Sequence, residues 1–451
     1  MRKIISGRRS SGRGPFVMRI NSRDQTNYGG GSGTPSAIDQ FYFPIPNGTD
    51  WAGYDINFTI DWGDGTTSDV NSSNYATACL HTFASGPGTY TVSAEGNLAG
   101  FDFWNMTNTT GKADGNKLLE IQQWGDLKLT GGTETSAGGF SAGLNQTFRF
   151  CINLNSISAS DGPWFPLNKR FSYSLNDRGA RGLFSSCTAL STINNIANWD
   201  VSNCLELEIM FSGCSKFEYG TNASGPIDLS SWDVSRCRGF ERMFSECSVF
   251  DAKMFTNVGE KSGSASLDFK SMFRNASVFN DLNSNNINNW TTSKVFNMEY
   301  MFQNAFAFNQ NISSWDTINV TTMRQMFRNA TIFNQNISSW DTSAVTDMRN
   351  MFTNCSAFDQ PIGSWNVNAW VSGSFSDCPL SGPSTSFNLS TANYDALLVA
   401  WDNSYTFPSW AGVVVDFGNS TYSLTSPGNS VANARTSLVN KWGGINDGGG
   451  V

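Results

Sequence analysis

Nine cysteines, one histidine and three closely spaced aspartates are the residues of this 451-residue chain whose types invite a chemical reading. Asp61, Asp64 and Asp69 crowd the turn "IDWGDGTTSDV" and offer the hard oxygen ligands that Ca²⁺ takes. The cysteines could serve as metal ligands, nucleophiles or disulfide partners. There is no C-x-x-C pair, and the lone His81 cannot complete a zinc set, so a structural metal site is not expected. His81 also leaves no Ser-His-Asp or Cys-His arrangement to propose outside its own motif, and Walker and Rossmann phosphate loops are absent. Glycoside cleavage needs two carboxyls about 5–10 Å apart, which a sequence does not place. We expect no enzymatic activity and no cofactor.

The elements that hold these residues explain most of the cysteines. Trp290, Trp315, Trp340 and Trp365 are each 25 residues apart. A methionine follows the tryptophan by 11 residues at 199/210, 232/243, 290/301, 315/326 and 340/351. The unit reads F-N-Q-x-I-x-x-W-D-x-x-x-V-x-x-M-x-x-M-F-x-N-A/C, and a strict period of this kind marks stacked coils that bury one face together. Trp290, Met301, Trp315, Met326, Trp340, Met351 and Trp365 are therefore expected in the core. Cys151, Cys187, Cys214, Cys247, Cys355 and Cys378 fall three residues after the unit's Phe, where Ala276, Ala305 and Ala330 stand in other units. Cys204 and Cys237 stand where Val295, Val320 and Val345 stand. Eight cysteines are thus exchangeable with Ala or Val, which predicts buried free thiols. A disulfide ladder is the other reading, but side chains in one register point in parallel and do not face each other.

The recurring Asn of "FNQN" and "FRNA" could bind a sugar or a metal; their fixed place favours turn residues that satisfy backbone groups and tolerate left-handed conformations. Asp200, Asp233, Asp316 and Asp341, each after a Trp, read as turn acids. The insertions "EYGTNASG" (218–225) and "DAKMFTNVGEKSGSAS" (251–266) are expected as loops on one face, open to a partner.

Charged residues make up only 15% of the chain and Gly numbers 43, a balance that suits β structure and turns. The net charge of −8 is unevenly placed. Residues 1–23 carry Arg2, Lys3, Arg8, Arg9, Arg13, Arg19 and Arg23 and no acid, so the remainder carries −15 (−8 minus 7). This basic arm could bind nucleic acid, an anionic lipid surface or an acidic protein, or remain a solvated tail. Docking onto a protein partner is the favoured reading, with nucleic acid set aside. The segment "MRKIISGRRSSGRGPFVMRI" is broken by Ser6, Gly7 and Arg8, so a secretory signal is not expected, nor is a membrane span anywhere.

"IDWGDGTTSDV" followed by "HTFASGPGTYTVSAEG" resembles the polycystic-kidney-disease-type (PKD) domain on Trp62, Gly63, Asp64, Gly65, His81, Phe83, Gly88, Tyr90 and Val92. The resemblance implies an immunoglobulin-like β-sandwich used as a spacer or binding module, in some relatives with calcium. The repeats, with "LSTANYDALLVAWDNS" and the segment from "VVVDFGNS" onward, resemble the BspA-like leucine-rich-repeat surface proteins in their Met-Phe and Trp-Asp branch. That resemblance implies a solenoid associated with adhesion, although Leu is scarce here at the ladder positions.

The expected fold is mainly β: a PKD/immunoglobulin-like β-sandwich, then a leucine-rich-repeat-like solenoid of about nine coils with a small α-containing C-terminal cap. The expected division is 1–36 basic arm and Gly/Ser linker, 37–97 sandwich, 98–140 transitional strands, 141–380 repeats and 381–451 cap. The function expected is that of a bacteriophage virion protein: a fibre, knob or decoration subunit, as a homo-oligomer or in multiple copies, docked on other virion proteins by its arm. Its repeats would face a host glycan or protein. A bacterial cell-surface adhesin is the other reading.

Overall fold

A computed structural model describes residues 13–25, 35–45, 57–97, 101, 103, 114–125, 127, 147–163, 180–218, 226–261, 266–369, 387–404, 413–425 and 427–451. The chain is mainly β with few helices and divides into two compact units, Met1–Gly225 and Pro226–Val451.

In the first unit, β1 (Phe16–Asn21) alternates strictly, Phe16, Met18 and Ile20 being fully buried. That period of two is what a half-buried strand requires. β1 lies between β6 (Thr89–Asn97) and β7 (Leu118–Gln123), antiparallel to both. β3 (Asn57–Asp61) and β4 (Thr67–Asn71) extend the sheet beyond β6. Beyond β7 it continues in parallel through β8 (Ser156–Ile157) and β9 (Thr192–Ile193), with Ile121, Ile157 and Ile193 in register. β2 (Gln40–Tyr42) and β5 (Leu80–Thr82) form a separate antiparallel pair, and Phe43, just after β2, sets its ring 5.7 Å from Phe58.

The segment from Phe16 to Asn21 is thus a central strand where the sequence predicted part of a basic arm. The signal was "FVMRIN", whose alternation is masked by the cations around it. Among the expected docking residues, Arg19 pairs with Glu120 across the strand at 2.8 Å, Arg23 Nε donates to Pro87 O, and Arg13 Nη1 reaches Gly162 O. Arg2, Lys3, Arg8 and Arg9 lie outside the described residues.

In the second unit the 25-residue repeat becomes a stack. Phe273, Phe302, Phe327 and Phe352 lie face to face at 5.6, 5.8 and 5.8 Å, with Phe387 5.8 Å beyond. Trp290, Trp315, Trp340 and Trp365 form a second column at 5.9, 6.3 and 6.4 Å, and Met301, Met326 and Met351 are fully buried beside them. Each indole N–H donates to a carbonyl of the repeat before, as Trp315 Nε1 does to Ile287 O at 2.8 Å. Regular strands are sparse, among them the parallel pair β10 (Leu267–Asp268) and β11 (Val295–Asn297).

Most of the linkage between repeats comes from a less usual backbone. Tyr300 and Asn304 have φ of 59° and 60°, and their N–H groups, with those of Met298 and Phe302, donate to the carbonyls of Thr322, Arg324, Met326 and Arg328. The N–H groups between them close local turns, Met301 to Met298 O and Gln303 to Tyr300 O. Left-handed residues four apart lie within a segment whose every second N–H is aimed at the next repeat. Asn reaches this conformation at least cost after Gly, and it stands two residues after the Phe at Asn275, Asn304, Asn329 and Asn354.

The insertion from residue 251 departs from expectation. Ala252, Met254, Phe255 and Val258 are fully buried, and Phe255 extends the tryptophan column, 5.6 Å from Trp290. Residues 252–258 are a variant piece of the core, because their apolar side chains fill the position a Trp fills elsewhere; Glu260 and Lys261 are exposed, and 262–265 lie outside the described residues. Of the 218–225 insertion, residues 219–225 lie outside the described residues.

At the C-terminus α2 (Thr391–Ser404) buries Tyr394, Leu397, Leu398 and Trp401, and α3 (Ser430–Trp442) buries Val431, Ala434, Leu438 and Trp442. The spacing of three and four puts each set on one helix face. Two parallel pairs accompany them, β12 (Val413–Asp416) with β14 (Gly443–Asn446) and β13 (Thr421–Tyr422) with β15 (Gly449–Gly450).

Candidate functional site

The aspartate cluster of the "DWGDG" turn is engaged in holding its own backbone. Asp61 Oδ1 accepts the N–H of Gly63, Asp64 Oδ1 accepts from Thr66 N and Oγ1, and Asp69 Oδ1 accepts from Thr59 Oγ1 at 2.7 Å. His81 Nε2 lies 2.8 Å from Asp64 Oδ2, and its ring stacks on Trp62 at 4.7 Å. Burial pushes the Asp64 carboxyl up, but the bonds from Thr66 and His81 outweigh it and hold the group below the ordinary carboxylate range. The three carboxylates are not gathered into a ligand set, and among the described residues no group of three His, Cys, Asp or Glu could hold a metal. The calcium reading of Asp61, Asp64 and Asp69 is therefore not carried further.

A buried ion pair was missed from the sequence. Lys117 and Asp114 are almost wholly enclosed, with 3.6 Å between Nζ and Oδ1. Lys117 Nζ also reaches Ser36 O and Oγ, Ala37 O and Gln40 O, while Asp114 accepts from Ser36 and the Tyr42 N–H. Burial lowers the lysine's proton affinity against the pull of Asp114. A buried amine is a candidate nucleophile. This one is saturated by carbonyls and enclosed, so it ties β2 to the 114–117 turn.

The eight described cysteines are all buried and unbridged; Cys378 lies outside the described residues. Burial raises the Cys79 thiol to about 12 and pushes Cys187, Cys204 and Cys355 up as well. Thiols held so far above neutrality carry almost no thiolate. Cys355 Sγ donates to Ala330 O of the repeat before, a structural bond.

The repeated amides and acids are likewise consumed by the stack. Asn304, Asn329 and Asn354 each donate from Nδ2 to the side-chain oxygen of the Asn one repeat earlier, the row starting at Asn275, which donates to Glu246. In a second row Asn280, Asn309 and Asn334 each accept, on Oδ1, the N–H of the equivalent residue that follows. Asp200, Asp233 and Asp341 each cap the N–H of a Ser two residues on. Two further positions flanking the Phe carry polar side chains that change between repeats. The residue after the Phe is Ser185, Ser212, Ser245, Arg274, Gln303, Arg328 or Thr353, and the residue three before it is Arg181, Glu208, Glu241, Lys270, Glu299, Arg324 or Arg349.

Residues 180–282 and 267–378 match the model of a family described as Mycoplasma protein of unknown function, DUF285. The match covers repeats and leaves residues 1–179 and 379–451 unmatched, and it is compatible with a BspA-like repeat. No curated protein and no solved structure matches the chain. No helix among the described residues is long and apolar enough to cross a membrane.

Proposed function

We propose that this chain is a non-enzymatic surface-recognition protein whose repeats form a leucine-rich-repeat-like solenoid, preceded by a PKD/immunoglobulin-like sandwich. One observation carries the reading. The apolar interior positions recur from repeat to repeat, while the strip three residues before the Phe stays outside the core and ranges over Arg, Glu and Lys. A stack that holds its backbone by ladders leaves that strip free to be matched to a partner, and many weak contacts over several copies give avidity in place of one tight site.

The setting we propose is the surface of a bacteriophage particle, as a fibre, knob or decoration subunit docked through residues near the N-terminus. With Arg19 built into β1, and Arg13 and Arg23 bonded to Gly162 O and Pro87 O, the docking cations reduce to Arg2, Lys3, Arg8 and Arg9. Mass spectrometry of purified particles is expected to find the chain at a fixed copy number, and its absence would reject the setting. The second reading, a bacterial cell-surface adhesin, is favoured by the family match, whose description names Mycoplasma. Fractionation of cells carrying the gene separates the two.

A further inference from the structure

The joint between residues 251–258 and 280–290 departs from the regular repeats in its acids. The pair that follows Phe308 and Phe333 is a neutral Asn-Gln, Asn309-Gln310 and Asn334-Gln335. After Phe279 it is Asn280-Asp281, and after Phe250 the place of the Asn belongs to Asp251. Asp281 is fully enclosed. Asp251 Oδ1 accepts the N–H groups of Asn280 and Leu282, at 2.9 and 3.1 Å, while Asp281 Oδ1 accepts that of Met254 at 2.9 Å. Each carboxyl thus reaches across to the other's segment. Asp281 Oδ2 accepts the Ile287 N–H at 3.2 Å.

Among the described residues no cation pairs with either acid. Lys253, two residues beyond Asp251, is taken by Asp228 at 3.6 Å. Glu241 and Lys270 act on Asp268. A carboxylate buried without a counter-ion costs free energy that its protonated form does not. Burial accordingly raises both acids above the ordinary 3.8, and their backbone bonds offset this only in part. The backbone of the joint is strained as well. Asp281 and Leu282 have φ of 50° and 44°, and among the described residues no other two consecutive non-glycine residues have positive φ.

We propose that this joint is an acid-closed clasp: protonation of Asp251 and Asp281 tightens it, and their ionisation towards neutral pH makes it the place where the stack opens first. An acid that is raised in the closed joint and ordinary in the open one holds its proton more tightly when closed. Closure is therefore favoured below the ordinary value and weakens as pH climbs through the raised one. Two neighbouring acids bear on the same profile. Burial also raises Asp268, with Glu241 adding to the rise and Lys270 opposing it, so it titrates in the same direction. Burial raises Asp228, but Ser230 and Lys253 outweigh it and hold it below 3.8, so its titration falls at lower pH. The repeats of Phe308 and Phe333 carry amides at both positions and lack the device.

Hydrogen exchange of the purified full chain, read by mass spectrometry and corrected for the intrinsic rate at each pH, tests the clasp. Peptides covering 251–258 and 280–290 are expected to lose about tenfold in protection between pH 4 and pH 7, relative to peptides from 301–352. Asp251→Asn with Asp281→Gln installs the residues that sister repeats contain. That double variant should be better protected at pH 7 and nearly flat in its profile, whereas Asp268→Asn alone should keep most of the pH dependence. Overturning results are a wild-type joint as well protected at pH 7 as at pH 4, a double variant that keeps the full dependence, or repeats 301–352 opening before the joint does. If the double variant does not fold, the wild-type profile and that of Asp268→Asn decide: a flat wild-type profile, or one abolished by Asp268→Asn, removes the clasp.

Discussion

The sheet around β1 and the stack around Trp315 bury comparable aromatic and aliphatic side chains by opposite means. In the sheet, each buried residue has its own partners: Met18 lies opposite Val92 on one side and Ile121 on the other. In the stack, a buried residue lies between its equivalents in the neighbouring repeats, as Trp315 lies between Trp290 and Trp340. A sheet position must be understood from its neighbours. A stack position can be understood from its equivalents, and substitutions that sister repeats already contain are the ones it tolerates.

The largest effect should come from removing a stacked ring. Trp315 is 3% exposed, and its indole N–H is bonded. Trp315→Ala should cost about 3–5 kcal/mol in chemical denaturation, because no sister repeat has a small residue there. A wild-type denaturation curve would show that the column adds little to the stack.

Met18→Ala asks the same of the sheet. If β1 is the central strand it forms here, the substitution should cost about 2–5 kcal/mol. A cost near zero would return the segment to a loosely held arm and collapse the contrast between the two regions.

This pair of residues also shows what was legible in the sequence. The stack declared itself because periodicity averages over copies: the Trp and Met spacing placed the core columns, and the Ala and Val equivalents placed the cysteines. β1 is a single strand of six residues among seven cations, and one alternation is too short to outweigh the charge around it. Phe255 was misread for a related reason, since an insertion breaks the register that gave its neighbours their meaning. The Asp114–Lys117 pair depends on Ser36 and Tyr42, far away in sequence. Arg274 and Arg328 stand out only once the register is known, as departures from Ser and Thr at one repeated position.

Cys355→Ala tests the exchange rule at low cost. Ala305 and Ala330 already fill that place, so the variant should lose under about 1 kcal/mol despite the residue's complete burial. A loss of several kcal/mol would show that equivalent positions are not interchangeable and that the stack, like the sheet, is packed site by site.

The finest test is a single charge. Asp251 stands where Asn280, Asn309 and Asn334 stand in later repeats, and its Oδ1 accepts the N–H groups of Asn280 and Leu282 at 2.9 and 3.1 Å. Burial raises its carboxyl above the ordinary 3.8, and backbone bonds offset this only in part. A raised acid binds its proton more tightly folded than unfolded, so stability falls as pH climbs from the unfolded value through the folded one. Above that window the buried carboxylate is a standing cost. Asn keeps the accepting oxygen and has no charge to bury. Asp251→Asn should therefore match wild type near pH 3 and become the more stable of the two as pH rises above about 4, a gap that denaturation at a series of pH values measures directly. A gap of constant size at every pH would mean that the side-chain oxygen, and not its charge, is all that the row of equivalents selects.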